Sequence, residues 1–203
     1  MQNNNIGEYC SEWEQKDREH FSPIIEAFPN MCRGFIWSED NTKVDGVSGT
    51  LANERFFWEL KSRKVDFQTF KDMFIEKGKV ETAEKVYQAG DRLMYVCILE
   101  DRFLLYDMAS IVGDDEYRTT LWKTNHLERV RQYRKDGTYY WKWGWRMNLP
   151  KEWATVISRD TCEILRFPKI RNVSVTGHNG RWTGTLNQET LEDYLCNSTQ
   201  SLP

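Results

Sequence analysis

The stretch FFWELKSRKV, Phe56 to Val65, limits what this chain can fold into more than any other segment. Three aromatics and a nearby leucine read as a buried strand, yet Glu59 and Lys61 sit inside it. In a strand, residues i and i+2 point to the same face, so Phe57, Glu59 and Lys61 share one face and Phe56, Trp58 and Leu60 the other. Charge in an apolar interior is costly unless it is paired or bound to a metal. The two charges therefore mark either a strand end with a surface ion pair, which contributes little to stability, or a site with chemistry to perform.

The neighbouring segments place that strand in a fold. SEWEQKDREHFSPIIEAFP predicts a first helix, with Ser11 and Glu14 as a capping box, Trp13, Phe21, Ile24, Ile25 and Phe28 at helical spacing, and Pro29 as its stop. Three short β segments follow, MCRGFIWSE, TKVDGVSGTL and FFWELKSRKV, joined by brief connections that suit a meander. DFQTFKDMFIEKGKVETAEKVYQAG is helical in composition, interrupted near Gly78, with Gly90 as its C-terminal cap. RLMYVCILED and RFLLYDMASIV then read as strands. The order α-β-β-β-α-β-β predicts an α+β (α/β) fold, a mixed central sheet with flanking helices. HLERVRQYRKDGTYYWKWGWRM predicts a hairpin turning at Asp136-Gly137, RNVSVTGHNGRWTGTL a second around Asn179-Gly180, and QETLEDYLC a short final helix. Pro150 is the expected break between a core, residues 1–150, and a β-rich C-terminal extension, residues 151–203, packed on it. A chain of 203 residues suits one such well-buried domain.

Composition removes several classes of function. Five cysteines, widely spaced and without a CxxC pair, argue against a zinc site or a disulfide framework and for reduced thiols in a cytoplasmic setting. His20, His126 and His178 have no metal-ligand spacing. The polar start MQNNNIGEYC is no signal peptide, no apolar run approaches a membrane span, and GVSGT lacks the lysine of a phosphate-binding loop. With a net charge of -3, contact with a polyanion must come from local patches rather than the overall field.

Asp45 lies fourteen residues before Glu59, in the preceding β segment. If the two strands pair, both carboxylates reach one end of the sheet and form an oxygen site for a hard cation such as Mg2+ that keeps several waters, with a backbone carbonyl such as that of Leu60 as a further ligand. Lys61 is then placed to orient an attacking water or to neutralise charge on a phosphoryl transition state. This arrangement resembles the PD-(D/E)XK nuclease superfamily, with Asp45 in KVDGVSG at the first acidic position and Glu59-Leu60-Lys61 in WELK at the second. The resemblance covers Ser11 to Ile111, and Val44 stands where a proline is usual. It implies an αβββαβ restriction-endonuclease-like core, Mg2+ with Mn2+ as a substitute, hydrolysis of nucleic-acid phosphodiesters, DNA before RNA, and an accessory glutamate on the first helix, for which Glu14, Glu19 and Glu26 are available. The other acid-x-Lys triplet, Glu14-Gln15-Lys16, falls on a helix and lacks this context.

Residues 129–146 carry six basic side chains against one acid, interleaved with tyrosine and tryptophan. Arg129, Arg131, Arg134, Lys135 and Lys142 suit phosphates, aromatics suit bases, and Lys64 adds charge beside the motif. The same alternation also suits a hairpin with its tryptophans packed on the core and a solvated basic face, and the tryptophans are expected to pack that way. Lys77 and Lys79 read as a solvated helix face. The sequence thus predicts a metal-dependent nuclease with nucleic acid as partner, no membrane, and a homodimer left open. The rival is a non-catalytic nucleic-acid-binding or protein-interaction domain of the same fold.

Overall fold

The computed structural model describes residues 12–39, 44–49, 55–133, 138–170, 173–176 and 183–186. Helix α1 (Glu12–Ala27) precedes three strands, β1 (Arg33–Trp37), β2 (Gly46–Gly49) and β3 (Arg55–Ser62), which pair antiparallel in that order. After β4 (Asp72–Glu76), helix α2 (Lys77–Gln88) returns the chain to β5 (Arg92–Ile98), which lies parallel to β3. Parallel neighbours need such a crossover, because a tight turn can only reverse the chain. Strand β6 (Arg102–Asp107) and the short helix α3 (Met108–Val112) follow, then α4 (Asp115–Lys123), β7 (His126–Tyr133) and β8 (Tyr139–Pro150). Strands β9 (Thr155–Ser158) and β10 (Ile164–Arg166) complete a seven-stranded sheet of order β1-β2-β3-β5-β6-β9-β10. A second sheet has the order β4-β8-β7, and β11 (Val173–Thr176) pairs with β12 (Thr183–Leu186).

The fold is the expected mixed sheet between helical layers, and it carries the α-β-β-β-α-β order with β4 inserted. Alternation along β3 sends its side chains into two cores. Phe56, Trp58 and Leu60 join Phe21, Ile24 and Phe28 of α1 on one face. Phe57 lies against the other core, where Val80 and Ala83 of α2, Tyr95 of β5 and Leu121 of α4 are buried. Trp58 keeps its indole N–H satisfied through the Ser48 hydroxyl at 2.9 Å, which itself donates to the Met31 carbonyl at 2.8 Å. Gly46 has no room for a side chain, since a Cβ there would meet the Phe35 ring at 2.4 Å. That close approach sets the start of β2, directly after Asp45.

Several expectations need correction. Residues 66–76 are not helical. Asp72–Glu76 forms β4 because Met73 and Ile75 alternate into the core, a period of two, and Gly78 sits inside α2 rather than breaking it. RFLLYDMASIV splits after Asp107, whose carboxylate accepts the Ala109 N–H and starts α3. Helix α4, for which the sequence carries no assigned element, starts on Asp114, whose carboxylate accepts the N–H groups of Glu116 and Tyr117. Beyond Pro150, β9 pairs with β6, and Val156 and Ile157 are core residues. Gly90 does close α2 in the left-handed region, at φ +80°. The capping box at Ser11, both hairpin turns and the final helix fall outside the described residues.

Candidate active site

Antiparallel pairing of β2 with β3 runs from Gly46 opposite Trp58, so Asp45 arrives beside Glu59. The Asp45 N–H donates to the Trp58 carbonyl at 2.7 Å, and its carboxylate Oδ2 accepts the Leu60 N–H at 2.6 Å. The side chain thereby takes the place of a ladder carbonyl and is fixed at the sheet end. Within a strand, the N–H and C=O of one residue point to the same side. The Leu60 carbonyl therefore faces the Asp45 side as well.

Glu59 is only 3% exposed. Its Oε2 accepts from Lys79 Nζ at 2.6 Å, and its Oε1 lies 3.6 Å from Lys61 Nζ. Burial and the Asp45 carboxylate nevertheless push Glu59 above the usual carboxylate range, against the pull of Lys61 and Lys79. Lys61, at 35% side-chain exposure, is the more open member. Burial pulls its ammonium down, but Glu76, Glu59 and Asp45 outweigh that and hold it above its ordinary value. It is charged at neutral pH.

Two further acids complete the cluster. Asp17 of α1 is raised by burial and by Asp45, opposed by hydrogen bonds from Ser62 and by Lys61. Glu76, the last residue of β4, has Oε2 buried without a hydrogen-bond partner. Its charge is the strongest of those raising Lys61.

The structure thus brings together Asp45, Glu59, Leu60 and Lys61, with Lys61 on the Glu59 face as the alternation requires. The first-helix acid is a correction. Glu19 is exposed and accepts from Gln15 at 2.9 Å, and the Glu14 side chain lies outside the described residues. Asp17 is the helix acid that reaches the cluster. Its signal was available, because at 100° per residue Asp17 falls on the same stripe as Phe21, Ile24 and Phe28, whereas Glu19 is turned well away from it. Lys79 is a second correction, since it bonds Glu59 rather than forming a solvated face. Lys77 stays at the surface with Glu81 at 3.4 Å. Lys64, Arg129, Arg131 and Lys142 are exposed, while Arg134 and Lys135 lie outside the described residues.

The tryptophans depart furthest from expectation. Trp141, Trp143 and Trp145 are 46%, 65% and 48% exposed instead of packed on the core. Only the base of β8 is covered, where Met147 and Leu149 are buried, and the side chains from Tyr139 to Trp143 are exposed.

The donor set fits a hard divalent cation. Among the described residues no three His, Cys, Asp or Glu side chains are assembled to hold an ion by themselves. Two carboxylates with a carbonyl, the remaining positions taken by water, suit Mg2+ nonetheless. A buried carboxylate whose charge is disfavoured next to a second one is an environment that a cation relieves.

No protein-family model and no curated protein matches the chain. Among solved structures it is similar to Hjc, a Holliday junction resolvase of Archaeoglobus fulgidus, at 12% identity over 66% of this chain and 84% of that one, with a TM-score of 0.37. A likeness so shallow leaves the functional reading to the residues themselves. Apart from the inserted β4, the element order is the α-β-β-β-α-β expected from the sequence.

Proposed function

We propose that this protein is a metal-dependent nuclease that hydrolyses phosphodiester bonds in nucleic acid, DNA in the first instance. The observation that carries the reading is the clamp of Leu60 N–H on Asp45, which fixes that carboxylate beside buried Glu59 with Lys61 on the same face. Asp45, Glu59 and the Leu60 carbonyl would hold Mg2+, or Mn2+ in its place, and Asp17, which feels Asp45 and Lys61, would add a further negative charge to the site. When bound, the cation supplies Lewis acidity toward a phosphate oxygen and the attacking water. Lys61 offsets negative charge that develops at phosphorus as water attacks and the ester oxygen leaves. Glu76 keeps that ammonium protonated. Arg129, Arg131 and Lys142 on the β7–β8 hairpin, with Lys64 beside the motif, supply the positive charge that an overall acidic chain needs to hold a polyanion.

The 2.6 Å bond from Lys79 to Glu59 favours a second reading, a binding domain of the same fold without catalysis. In that reading Lys79 occupies Glu59 permanently in place of a cation. Circular DNA, linear DNA and RNA incubated with the protein in Mg2+, Mn2+ or EDTA decide between them. Cleavage that needs the cation supports the nuclease. Tight binding with no cleavage of any substrate, and no shift of the melting temperature on cation titration, supports the binding domain.

A further inference from the structure

The outer part of the β7–β8 hairpin presents a face that a folded chain would ordinarily cover. Register places Leu127, Arg129 and Arg131 of β7 opposite Trp145, Trp143 and Trp141 of β8. Their side chains, with Tyr139, therefore line one face, the same face of β8 that carries buried Met147 and Leu149 at its base. Past Trp145 this face leaves the core and continues uncovered. Arg129 lies over the Trp141 ring, 5.3 Å from its centroid, and Arg131 over Tyr139 at 4.5 Å. By register no carboxylate of β7 or β8 belongs to this face among the described side chains, and Glu76 and Glu81 meet it only in the cleft that Arg131, Trp143 and Trp145 share with the start of α2.

We infer that this face binds nucleic acid through unpaired bases, each stacked on an exposed indole, with the two arginines against the phosphates. The inference deepens the nuclease reading and rests on it for the choice of polymer. Charge selects a polyanion over an apolar peptide. Spacing selects an open strand over a duplex. Aromatic side chains on one face of a strand recur about every 6.8 Å, twice the roughly 3.4 Å step between bases in a duplex strand. Bases inside a duplex also have both π faces occupied, whereas an extended single strand offers each base to an aromatic platform. The face begins next to the active site as well. Arg146, one residue beyond Trp145, stands opposite Glu76 in the β4–β8 ladder, and the Glu76 charge acts on Lys61, so the base of the hairpin adjoins the active site through the other side of the sheet. A strand lying along the hairpin would run toward the reacting groups, so the expected substrate carries an unpaired segment next to the bond that is cut.

The test is equilibrium binding in EDTA, where no cleavage occurs, so its outcome does not depend on whether the protein is a nuclease. Fluorescence anisotropy compares a labelled single strand, a blunt duplex of the same sequence, and an abasic strand that keeps phosphates but has no bases. The parent protein should bind the single strand at least tenfold more tightly than the other two. Trp143→Ala, at a position too exposed to endanger folding, should remove roughly tenfold of single-strand affinity and leave abasic-strand affinity unchanged. Trp143→Phe should restore most of the loss. Equal affinity for single strand and duplex, or an unchanged single-strand affinity in Trp143→Ala, overturns the inference. So does a sedimentation mass of two chains that falls to one on Trp143→Ala, because the face would then be covered by a second copy.

Discussion

The end of β3 and the outer half of β8 break the same rule in opposite directions. At β3, a carboxylate is buried to 3% exposure where an apolar side chain would serve the core better. At β8, three indoles stand about half exposed or more where solvent-facing strands carry polar groups. Burial of an isolated charge and exposure of apolar surface both cost free energy, so neither arrangement is explained by stability. The difference is in the compensation. Glu59 is surrounded by Lys61, Lys79 and Asp45, and Lys61 in turn feels Glu76, a closed cluster of opposite charges. Among the described residues the hairpin indoles are flanked by arginines of the adjacent strand and by Tyr139, and stay largely open to solvent. In the proposed function, one region is pre-organised for an ion and a reaction, and the other is open to a partner.

The comparison breaks most directly at Lys61. Lys61→Ala should lower the cation-dependent cleavage rate by roughly a hundred- to a thousandfold, while the protein stays folded and keeps its thermal shift with Mg2+. The check is a single-turnover assay beside a melting curve. Cleavage at the parent rate would reduce the cluster to a structural ion-pair network.

Removing Lys79 tests the closed cluster itself. Lys79→Ala leaves a buried Glu59 oxygen without its donor and should cost about 1–3 kcal/mol in urea unfolding. Glu59→Gln in the same background should recover most of that, because the uncompensated charge is then gone. If the effects of the two substitutions simply add, Lys79 and Glu59 do not stabilise each other.

Proton linkage sharpens the contrast further. Glu59 and Asp17 both have folded-state values raised above those of the unfolded chain. Between the unfolded and the raised folded values, the native state binds more protons than the unfolded one, so stability of the cation-free protein falls as pH rises through that window. Glu59→Gln should therefore raise the melting temperature of the cation-free protein at neutral pH and flatten this part of its pH profile. Because a cation displaces protons from the same carboxylates, Mg2+ affinity should weaken as pH falls through the window. Calorimetry in buffers of different ionisation enthalpy measures the protons released.

The hairpin should respond to none of these changes. Replacing Arg129, Arg131 and Lys142 together with alanine should reduce the dependence of binding on salt by about two to three in the logarithmic slope. It should move folding stability by no more than about 0.5 kcal/mol per site. Unchanged affinity and slope would assign the arginines to packing over Tyr139 and Trp141 alone.

The sequence by itself determined the β meander, the helix that crosses over to β5, and the pairing that sets Asp45 beside Glu59. Those follow from short-range signals: alternation at a period of two, turn residues, and a helical stretch closed by Gly90. Its errors have physical causes as well. Residues 72–76 carry a helical composition, yet partnership with β8 made them a strand, since pairing and burial outweigh propensities of a few tenths of a kcal/mol per residue. Asp17 was legible only through helix phase, which composition ignores. Tertiary structure alone decided that Lys79 reaches Glu59 across 20 residues of chain, that Glu76 stands near Lys61, and that the indoles of β8 lie beyond the edge of the core. Alternation fixes which residues share a face, but whether anything covers that face depends on where distant elements end.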